Sequence, residues 1–336
     1  MKNKIKQNIP NFLLIYYRKV SNYYRLKKLV TNDRKLFFKN ASLYSEDGYN
    51  ERQLKYRLIY AVHGIEKGLS HENLRLGFGK EQLVYIKTLL DEYVRMGIPK
   101  NCSVYLDTIS VLSEYVNVHK EKDYDLSYFN EVYFEFLDEI ININSLRTGV
   151  LKKIETKDNN KKNFAELSKE RFSVRDFSKK EVTNDVIRNV VDIALKTPSA
   201  CNRQMWTVKA IKDENKIERV LSFQRGFSGY DTPPILFLVT VSLESFQFPR
   251  ERNQAFVDGG LFSMSLLYSL EYHNLAACAL NSELTLEDEK EIREILDIPK
   301  SEVMIMFIAS GYFKKEYFVC KSPRLDADEV LMIIED

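Results

Sequence analysis

Five residues of the sequence have the chemistry of an anion site. Arg171, Ser173 and Arg175 alternate along one stretch, and Lys321 and Arg324 lie close together near the C-terminal end. Along an extended chain the first three would face one side, and in a helix the two arginines would align four residues apart. Guanidinium groups bind phosphate through paired hydrogen bonds, and lysine adds a point charge. Each stretch by itself is more typical of a solvated basic surface.

A second stretch, PSACNRQMW at 198–206, is rich in small and amide side chains. Pro198 stops a preceding helix, and small residues such as Ser199 let a ligand approach the backbone. The amides of Asn202 and Gln204 offer donors and acceptors for a polar heterocycle or a polyol. The competing interpretation is a tight turn between a helix and a strand that serves only to pack the tryptophan that follows.

Other cofactor and catalytic patterns are missing from the sequence. The four cysteines are far apart and form no CxxC pair, which argues against a disulfide framework and a zinc site. His63, Glu66, His71 and Glu72 offer metal-ligand atoms, but their setting among glycines is more typical of a helix end and a turn, so we predict no metal. There is no Walker loop, no GxGxxG after a strand and no Ser-His-Asp arrangement. No side chain stands out as a catalytic residue.

The 336 residues divide into two regions of different pattern. We predict a helical region at 41–160 without a sheet, a polar linker at 152–162, and a domain at 165–336 in which short strands alternate with helices. The predicted helices of the first region cover 79–96, 104–118 and 128–143. The predicted strands of the second cover 206–211, 235–241 and 303–309, and its helices cover 184–196, 258–273 and 286–296.

The helix predicted at 258–273 is apolar around most of its circumference. A helix of this kind must be buried on all sides. In a domain of this size a subunit interface can supply that burial. We therefore predict a homodimer with this helix near the two-fold axis.

Residues 1–40 form a basic arm with aromatic side chains. They contain eleven Lys or Arg and one acid, Asp33, for a net charge of +10, which leaves −8 for the rest of a chain whose total is +2. We favour a helix packed on the body with solvated lysines. Contact of an amphipathic helix at 12–29 with an anionic membrane surface is the second interpretation, and nucleic-acid binding is the least favoured.

The cysteine usage also indicates a compartment, because widely spaced thiols suit a reducing cytoplasm. No apolar run approaches the length of a membrane-spanning helix, and no cleavage site follows an apolar N-terminal stretch. We predict a cytoplasmic protein, with peripheral attachment to the inner face of the membrane through residues 1–40 as the alternative.

Taken in order, several motifs resemble those of the nitroreductase family of flavin enzymes over about residues 165–336. They are RFSVRDF at 171–177, PSACNRQMW at 198–206, DGG at 258–260, VMIMFIASGY at 303–312 and KSPR at 321–324. Two further stretches, RNQAFVDGGLFSMSLL at 252–267 and HGIEKGL at 63–69, resemble members found in bacterial polysaccharide synthesis.

The resemblance implies an α+β fold with a mixed central sheet flanked by helices, built as an intertwined homodimer with FMN at the subunit interface. The implied contacts at the phosphate end are Arg171, Ser173, Lys321 and Arg324, with Arg175 toward the ribityl chain or the pyrimidine ring. The contacts implied from the partner subunit are Pro198, Ser199, Asn202 and Gln204. A cation near the pyrimidine edge would stabilise the reduced flavin.

The sequence departs from the family pattern in two places. Met205 stands where family members usually have proline. Residues 275–281 replace a Gly-Leu-Gly-type turn, and alanine does not readily adopt the positive φ that glycine allows. The loop expected to face the flavin N5 edge, which includes Leu280 and Asn281, is therefore predicted to differ from that of the family.

The leading functional hypothesis is an FMN-dependent oxidoreductase. Hydride would pass from NADH or NADPH through the flavin to an unidentified small-molecule acceptor, in two half-reactions at one site. The first alternative is a flavin-dependent dehydrogenase or reductase of polysaccharide biosynthesis. The second is a structural or regulatory protein that keeps the fold without turnover.

Overall fold

A computed structural model of the chain describes residues 10–41, 48–143, 148–155 and 158–335. The chain forms two compact units, and each unit is assembled from three separate stretches. The helical unit comprises Tyr44–Lys157, Phe172–Ser178 and Phe313–Asp336, and the sheet unit comprises Met1–Leu43, Asp158–Arg171 and Lys179–Tyr312. The domain limits expected from the sequence stay predictions. Residues 1–9 of the basic arm and 156–157 of the expected linker lie outside the described residues.

The helices and strands are as follows in chain order. The helices are α1 (Asn11–Asn40), α2 (Glu51–Leu69), α3 (Lys80–Arg95), α4 (Ser103–Lys120), α5 (Ser127–Val132), α6 (Leu137–Ile141), α7 (Phe164–Glu170), α8 (Asn184–Ala194), α9 (Glu214–Gln224), α10 (Gln254–Tyr272), α11 (Leu286–Leu296) and α12 (Ala327–Val330). The strands are β1 (Val150–Ile154), β2 (Trp206–Ile211), β3 (Ile235–Ser242), β4 (Leu275–Leu280), β5 (Glu302–Tyr312) and β6 (Glu316–Cys320).

The helical unit packs α2, α3 and α4 around one apolar core, as helical spacing of apolar residues requires. The helix predicted over 128–143 is interrupted by a 3-10 turn at Phe134–Phe136 that separates α5 from α6. The expectation that this region contains no sheet is wrong, because β1 pairs antiparallel with β6. No local pattern revealed this pairing, since the two strands are far apart in the sequence.

The sheet unit contains a four-stranded sheet in the order β2-β3-β5-β4. Strand β3 is buried along nearly its whole length, in agreement with its unbroken apolar sequence. The predicted α+β class is confirmed. The resemblance also implied a mixed sheet, but every strand pair in the described residues is antiparallel. Helices α9 and α11 each return the chain to the end of the sheet at which the preceding strand finished, so that the next strand runs in the opposite direction.

Helix α10 lies against this sheet, and its apolar circumference is only partly covered. Phe262 and Leu266 are fully buried in the core. On the other face Phe256, Val257 and Leu261 are exposed over 56%, 53% and 47% of their surface. Burial of this helix on all sides is therefore not achieved within one chain.

Helix α1 continues eleven residues beyond the stretch predicted at 12–29, to Asn40, and none of its side chains is buried. It is held to the 3-10 turn at Pro249–Glu251 and to Arg252, whose Nε and Nη2 lie 2.5 and 2.7 Å from the Asp33 carboxylate. The interpretation favoured from the sequence is a helix packed on the body with solvated lysines; α1 contacts the body here but buries none of its side chains. Within the described part of the chain no helix combines the length and the hydropathy needed to cross a membrane.

Candidate functional site

The loop between α8 and β2 has an unusual backbone. Cys201, Asn202 and Gln204 have φ values of 55°, 53° and 48°, in the left-handed region that residues other than glycine rarely occupy. Each such residue costs about 1–3 kcal/mol and persists only where its surroundings fix it. Three of them within four positions indicate that the shape of this loop is itself required.

The buried carboxylate of Asp258, the first residue of DGG, fixes the start of this loop. Its Oδ2 accepts a hydrogen bond from the Ala200 N–H at 3.1 Å, and its Oδ1 accepts one from Gln254 Nε2 at 2.9 Å. Within the loop, the Ser199 hydroxyl accepts a hydrogen bond from the Gln204 N–H at 3.0 Å. The sequence signal for this anchor was an acid inside an otherwise apolar helix, and sequence analysis did not assign it a role.

A second anchor is the ion pair between Arg203 and Glu251, whose Nη2 and Oε1 lie 2.8 Å apart. Arg203 also donates to the carbonyls of Ala200 at 3.0 Å and Ser245 at 2.9 Å. Hydrogen bonds from Arg203 and from the Gln247 N–H lower the pKa of Glu251 to about 2. The arginine of the PSACNRQ motif is therefore turned inward to hold the loop.

The polar side chains of the loop that were expected to bind a ligand lie at its surface. Pro198, Asn202 and Gln204 are exposed, and Ser199 is partly exposed. Gln204 Nε2 lies 3.2 Å from Asn202 Oδ1, so the two amides form a pair on the outer side. Their roles at a ligand stay predictions, and the structure leaves these groups accessible.

Residues 275–280 were expected in a loop, and this expectation is wrong. They form the strand β4, which pairs along its whole length with β5 because small apolar side chains suit a strand buried on both faces. Leu280 is 5% exposed at the end of this strand. Asn281 follows it on the surface, and its carbonyl accepts a hydrogen bond from Gln224 Nε2 at 3.2 Å.

Three of the four predicted phosphate-end residues, Ser173, Lys321 and Arg324, belong to the helical unit, as does Arg175, and Arg171 belongs to the sheet unit, where it follows α7. Ser173 precedes the buried Arg175, whose Nη1 donates to the Ser173 carbonyl at 3.4 Å and to Cys320 Sγ at 3.7 Å. Arg175 therefore lies beside the end of β6, immediately before the KSPR stretch.

The KSPR stretch forms a tight turn after β6. Ser322 has a φ of 45°, and its carbonyl accepts a hydrogen bond from the Arg324 guanidinium. The Lys321 N–H donates to the Gly149 carbonyl at 2.9 Å. Burial raises the pKa of the nearby Glu114 carboxyl, and the positive charge of Lys321 opposes that rise.

An ion-pair bridge holds the RFSVRDF segment in the helical unit. Lys314 Nζ lies 2.7 Å from the Asp176 carboxylate and 2.8 Å from that of Glu72. Burial raises the pKa of Asp176, whereas the hydrogen bond from Lys314 lowers that of Glu72. This ion-pair bridge accounts for the position of the Glu72 side chain without a bound metal.

Three metal-ligand atoms do come together near the KSPR turn. They belong to His63, Glu66 and Cys320 and lie within 4.8 Å of one another. The guanidinium of Arg175 approaches Cys320 Sγ, and both oxygens of Glu66 accept hydrogen bonds from Ser322. The positive charge of Arg175 and the hydrogen bonds that the Glu66 oxygens already accept disfavour a metal cation here. The same positive charge favours an anion.

Comparison with known proteins finds similarity to one family. The sequence model of the nitroreductase family matches residues 168–228, which contain the RFSVRDF segment and the PSACNRQ loop. Over these residues the chain is similar to the nitroreductase family. The resemblance predicted from the motifs is thereby confirmed, while the link to polysaccharide-associated nitroreductases stays a prediction.

The chain is also similar to curated proteins outside bacteria. It is 22% identical over 197 residues to iodotyrosine deiodinase 1 of Sus scrofa and 23% identical to that of Homo sapiens. Each match covers 51% of this chain and 68% of the relative.

Solved nitroreductase structures match about half of the chain. A nitroreductase family protein from Clostridium difficile 630 is 20% identical, with a TM-score of 0.43, and the match covers 51% of this chain and 98% of that one. A nitroreductase with bound FMN from Desulfitobacterium hafniense is 18% identical, with a TM-score of 0.40, and the match covers 51% of this chain and 97% of that one.

Proposed function

We propose that the protein is an FMN-dependent oxidoreductase that takes hydride from NADH or NADPH and passes the electrons to a small-molecule acceptor. The observation that carries the proposal is the nitroreductase-family match over 168–228, because it contains RFSVRDF and PSACNRQ, two of the three segments expected to bind the cofactor. The two left-handed turns described above, at 201–204 and at Ser322, support it further.

The residues present fit the phosphate end of FMN. The helical unit gathers Ser173, the buried guanidinium of Arg175, and Lys321 and Arg324 of the KSPR turn. Cations together with hydroxyl and backbone donors are the groups that bind phosphate oxygens. Ser173, Lys321 and Arg324 would hold the phosphate, a role that the resemblance also gives to Arg171.

Other residues would orient the isoalloxazine ring. The exposed amides of Asn202 and Gln204, with Pro198 and Ser199, would reach the flavin of the partner subunit. Arg175 would place positive charge toward the ribityl chain or the pyrimidine edge, where reduction adds negative charge. Bound FMN supplies the redox chemistry, accepting a hydride and releasing two electrons to an acceptor.

The visible absorption spectrum of the purified full-length protein tests the proposal. We expect flavin bands, release of FMN on denaturation, and anaerobic bleaching by NADH or NADPH. Replacing Arg175 with Ala should raise the FMN Kd about tenfold or more, since a hydrogen bond to a charged group is lost. Arg95→Ala is the matched control, because Arg95 is an exposed arginine of the same unit whose one ion-pair partner among the described residues is Glu92.

Two results would contradict this function. A colourless protein that does not bind added FMN would show that FMN is not its cofactor. A protein that binds FMN but is bleached by neither nucleotide would favour the alternative of a regulatory protein that has kept the fold.

The exposed face of α10 supports a homodimer. Phe256, Val257 and Leu261 are apolar, lie on one side of the helix and are about half exposed in the single chain. Burial of such a face against a second copy removes this apolar surface from water. A dimer would also supply the partner's loop to each flavin.

Helix α1 supports peripheral contact with an anionic membrane on the cytoplasmic side. Its large exposed side chains include Tyr16, Tyr23 and Phe37, interleaved with lysines and arginines. Aromatic and cationic side chains together bind the headgroup region of anionic bilayers. The four cysteines, all described, are free thiols, which suits a reducing compartment. Equal sedimentation of the protein with anionic and neutral vesicles would contradict the membrane contact.

A further inference from the structure

The HGIEKGL stretch forms the last turns of α2, and its Glu66 is 2% exposed. Glu66 Oε1 accepts a hydrogen bond from the Ser322 N–H at 2.9 Å, and Oε2 accepts one from the Ser322 hydroxyl at 3.2 Å. One turn earlier on the helix, His63 Nδ1 lies 3.0 Å from Glu66 Oε2. A single buried carboxylate thus binds both polar donors of the central residue of the KSPR turn.

These bonds fix a turn that would otherwise be unfavourable. Ser322 has a φ of 45°, which costs serine free energy, and an ionised acceptor makes stronger hydrogen bonds than a neutral one. Cys320, two residues earlier, has its Sγ 3.7 Å from Ser70 Oγ, at the C-terminal end of the same helix. The direction in which Lys321 and Arg324 leave the turn is therefore set by α2.

Among the described residues, the Glu66 carboxylate contacts Ser322 and His63 and not the cationic side chains that would bind the phosphate. Its oxygens face the Ser322 donors and His63, and in the described residues they accept no hydrogen bond from the side chain of Arg175, Lys321 or Arg324. Glu66 therefore supports the turn, and the turn itself carries the groups that would bind the ligand.

We propose that Glu66 is a positioning residue for phosphate binding, so that the HGIEKGL motif of the helical region belongs to the cofactor site. The inference rests on the proposed function, because the anion it concerns is the FMN phosphate. It assigns a role to a motif whose purpose the family resemblance left open.

The test compares FMN with riboflavin, which lacks the phosphate, on the full-length protein. Glu66→Gln keeps the shape of the side chain but replaces one acceptor with a donor, and we expect its FMN Kd to rise about tenfold. Glu66→Ala should raise it about 100-fold. The riboflavin Kd should change less than about twofold for both variants, because riboflavin makes no phosphate contact. In the apo protein, hydrogen exchange at the Ser322 amide should be faster in both variants.

Glu51→Gln is the matched control, because Glu51 is an exposed carboxylate at the other end of α2 that pairs with Lys55. It should leave both Kd values and the Ser322 exchange rate unchanged. Equal losses of FMN and riboflavin affinity, or unchanged FMN affinity in both Glu66 variants, would overturn the proposal. Absence of FMN binding by the unmodified protein would instead contradict the proposed function.

Discussion

Buried carboxylates hold both left-handed turns of the candidate site. Asp258 accepts a hydrogen bond from Ala200 in the sheet unit, and Glu66 accepts two from Ser322 in the helical unit. In each case one carboxylate accepts a hydrogen bond from a backbone N–H group in a segment whose positive φ angles are otherwise unfavourable. The strain of these segments is thus offset by groups that need not touch a ligand.

The ion pair of Glu251 gives the PSACNRQ loop a dependence on pH. The folded-state pKa of Glu251 is about 2, below the value of about 4.3 for an unperturbed glutamate. Its contribution to stability is therefore complete above about pH 5 and is lost as the pH falls toward 2. We expect Glu251→Gln to lower Tm at pH 6 and to differ less from the unmodified protein near pH 3.

Thermal unfolding at several pH values checks this expectation. Glu244→Gln is the control, because Glu244 lies near the same loop and bonds to Ser242, with no arginine partner in the described residues. A Tm difference for Glu251→Gln that stays constant from pH 6 to pH 3 would show that the ion pair does not hold the loop.

At the scale of elements, the two glycines of DGG have different surroundings on α10. A Cβ on Gly259 would lie 2.6 Å from Ile305 Cγ1 and 3.1 Å from Val241 Cγ2, whereas a Cβ on Gly260 would have no neighbour within 4 Å. Gly259 is therefore the residue that lets α10 approach the sheet closely, and with it brings Asp258 to the loop.

Alanine at each position separates packing from helix propensity. Gly259→Ala should destabilise the protein by about 1–3 kcal/mol through overpacking against a stiff β-branched side chain. Gly260→Ala should be neutral or stabilising by up to about 1 kcal/mol, because alanine favours the helix. Urea unfolding midpoints measure both. Equal effects of the two substitutions would contradict the close approach at Gly259.

Elements encoded by local pattern could be predicted from the sequence. Strand β2 and helix α11 have the predicted bounds, and the Thr285 hydroxyl accepts the Asp288 N–H at 3.1 Å as its N-cap. Strand β4 was mistaken for a loop, because the family resemblance outweighed a run of small apolar residues compatible with a strand. The support of Ser322 by Glu66 joins residues 256 positions apart, and no local pattern contains that information.

At the scale of the whole molecule, the unpaired face of α10 leads to a prediction about assembly. Leu261→Glu places a charge on that face and should raise the dimer Kd at least about 30-fold, the effect of losing one strong interface contact. Sedimentation equilibrium measures it. Leu286→Glu on α11 is the control, because Leu286 is 81% exposed and lies outside this face. Unchanged dimerisation of Leu261→Glu would place the interface elsewhere.

The assignment of Phe313–Asp336 to the helical unit has a consequence for how the protein is made. Strand β1 at 150–154 has its partner in β6 at 316–320, so the ribosome must complete almost the entire chain before this unit can close. The segments of the sheet unit are all synthesised earlier. The helical unit is thus finished last, and during synthesis its early helices α2, α3 and α4 lack the two-stranded sheet that β1 and β6 complete.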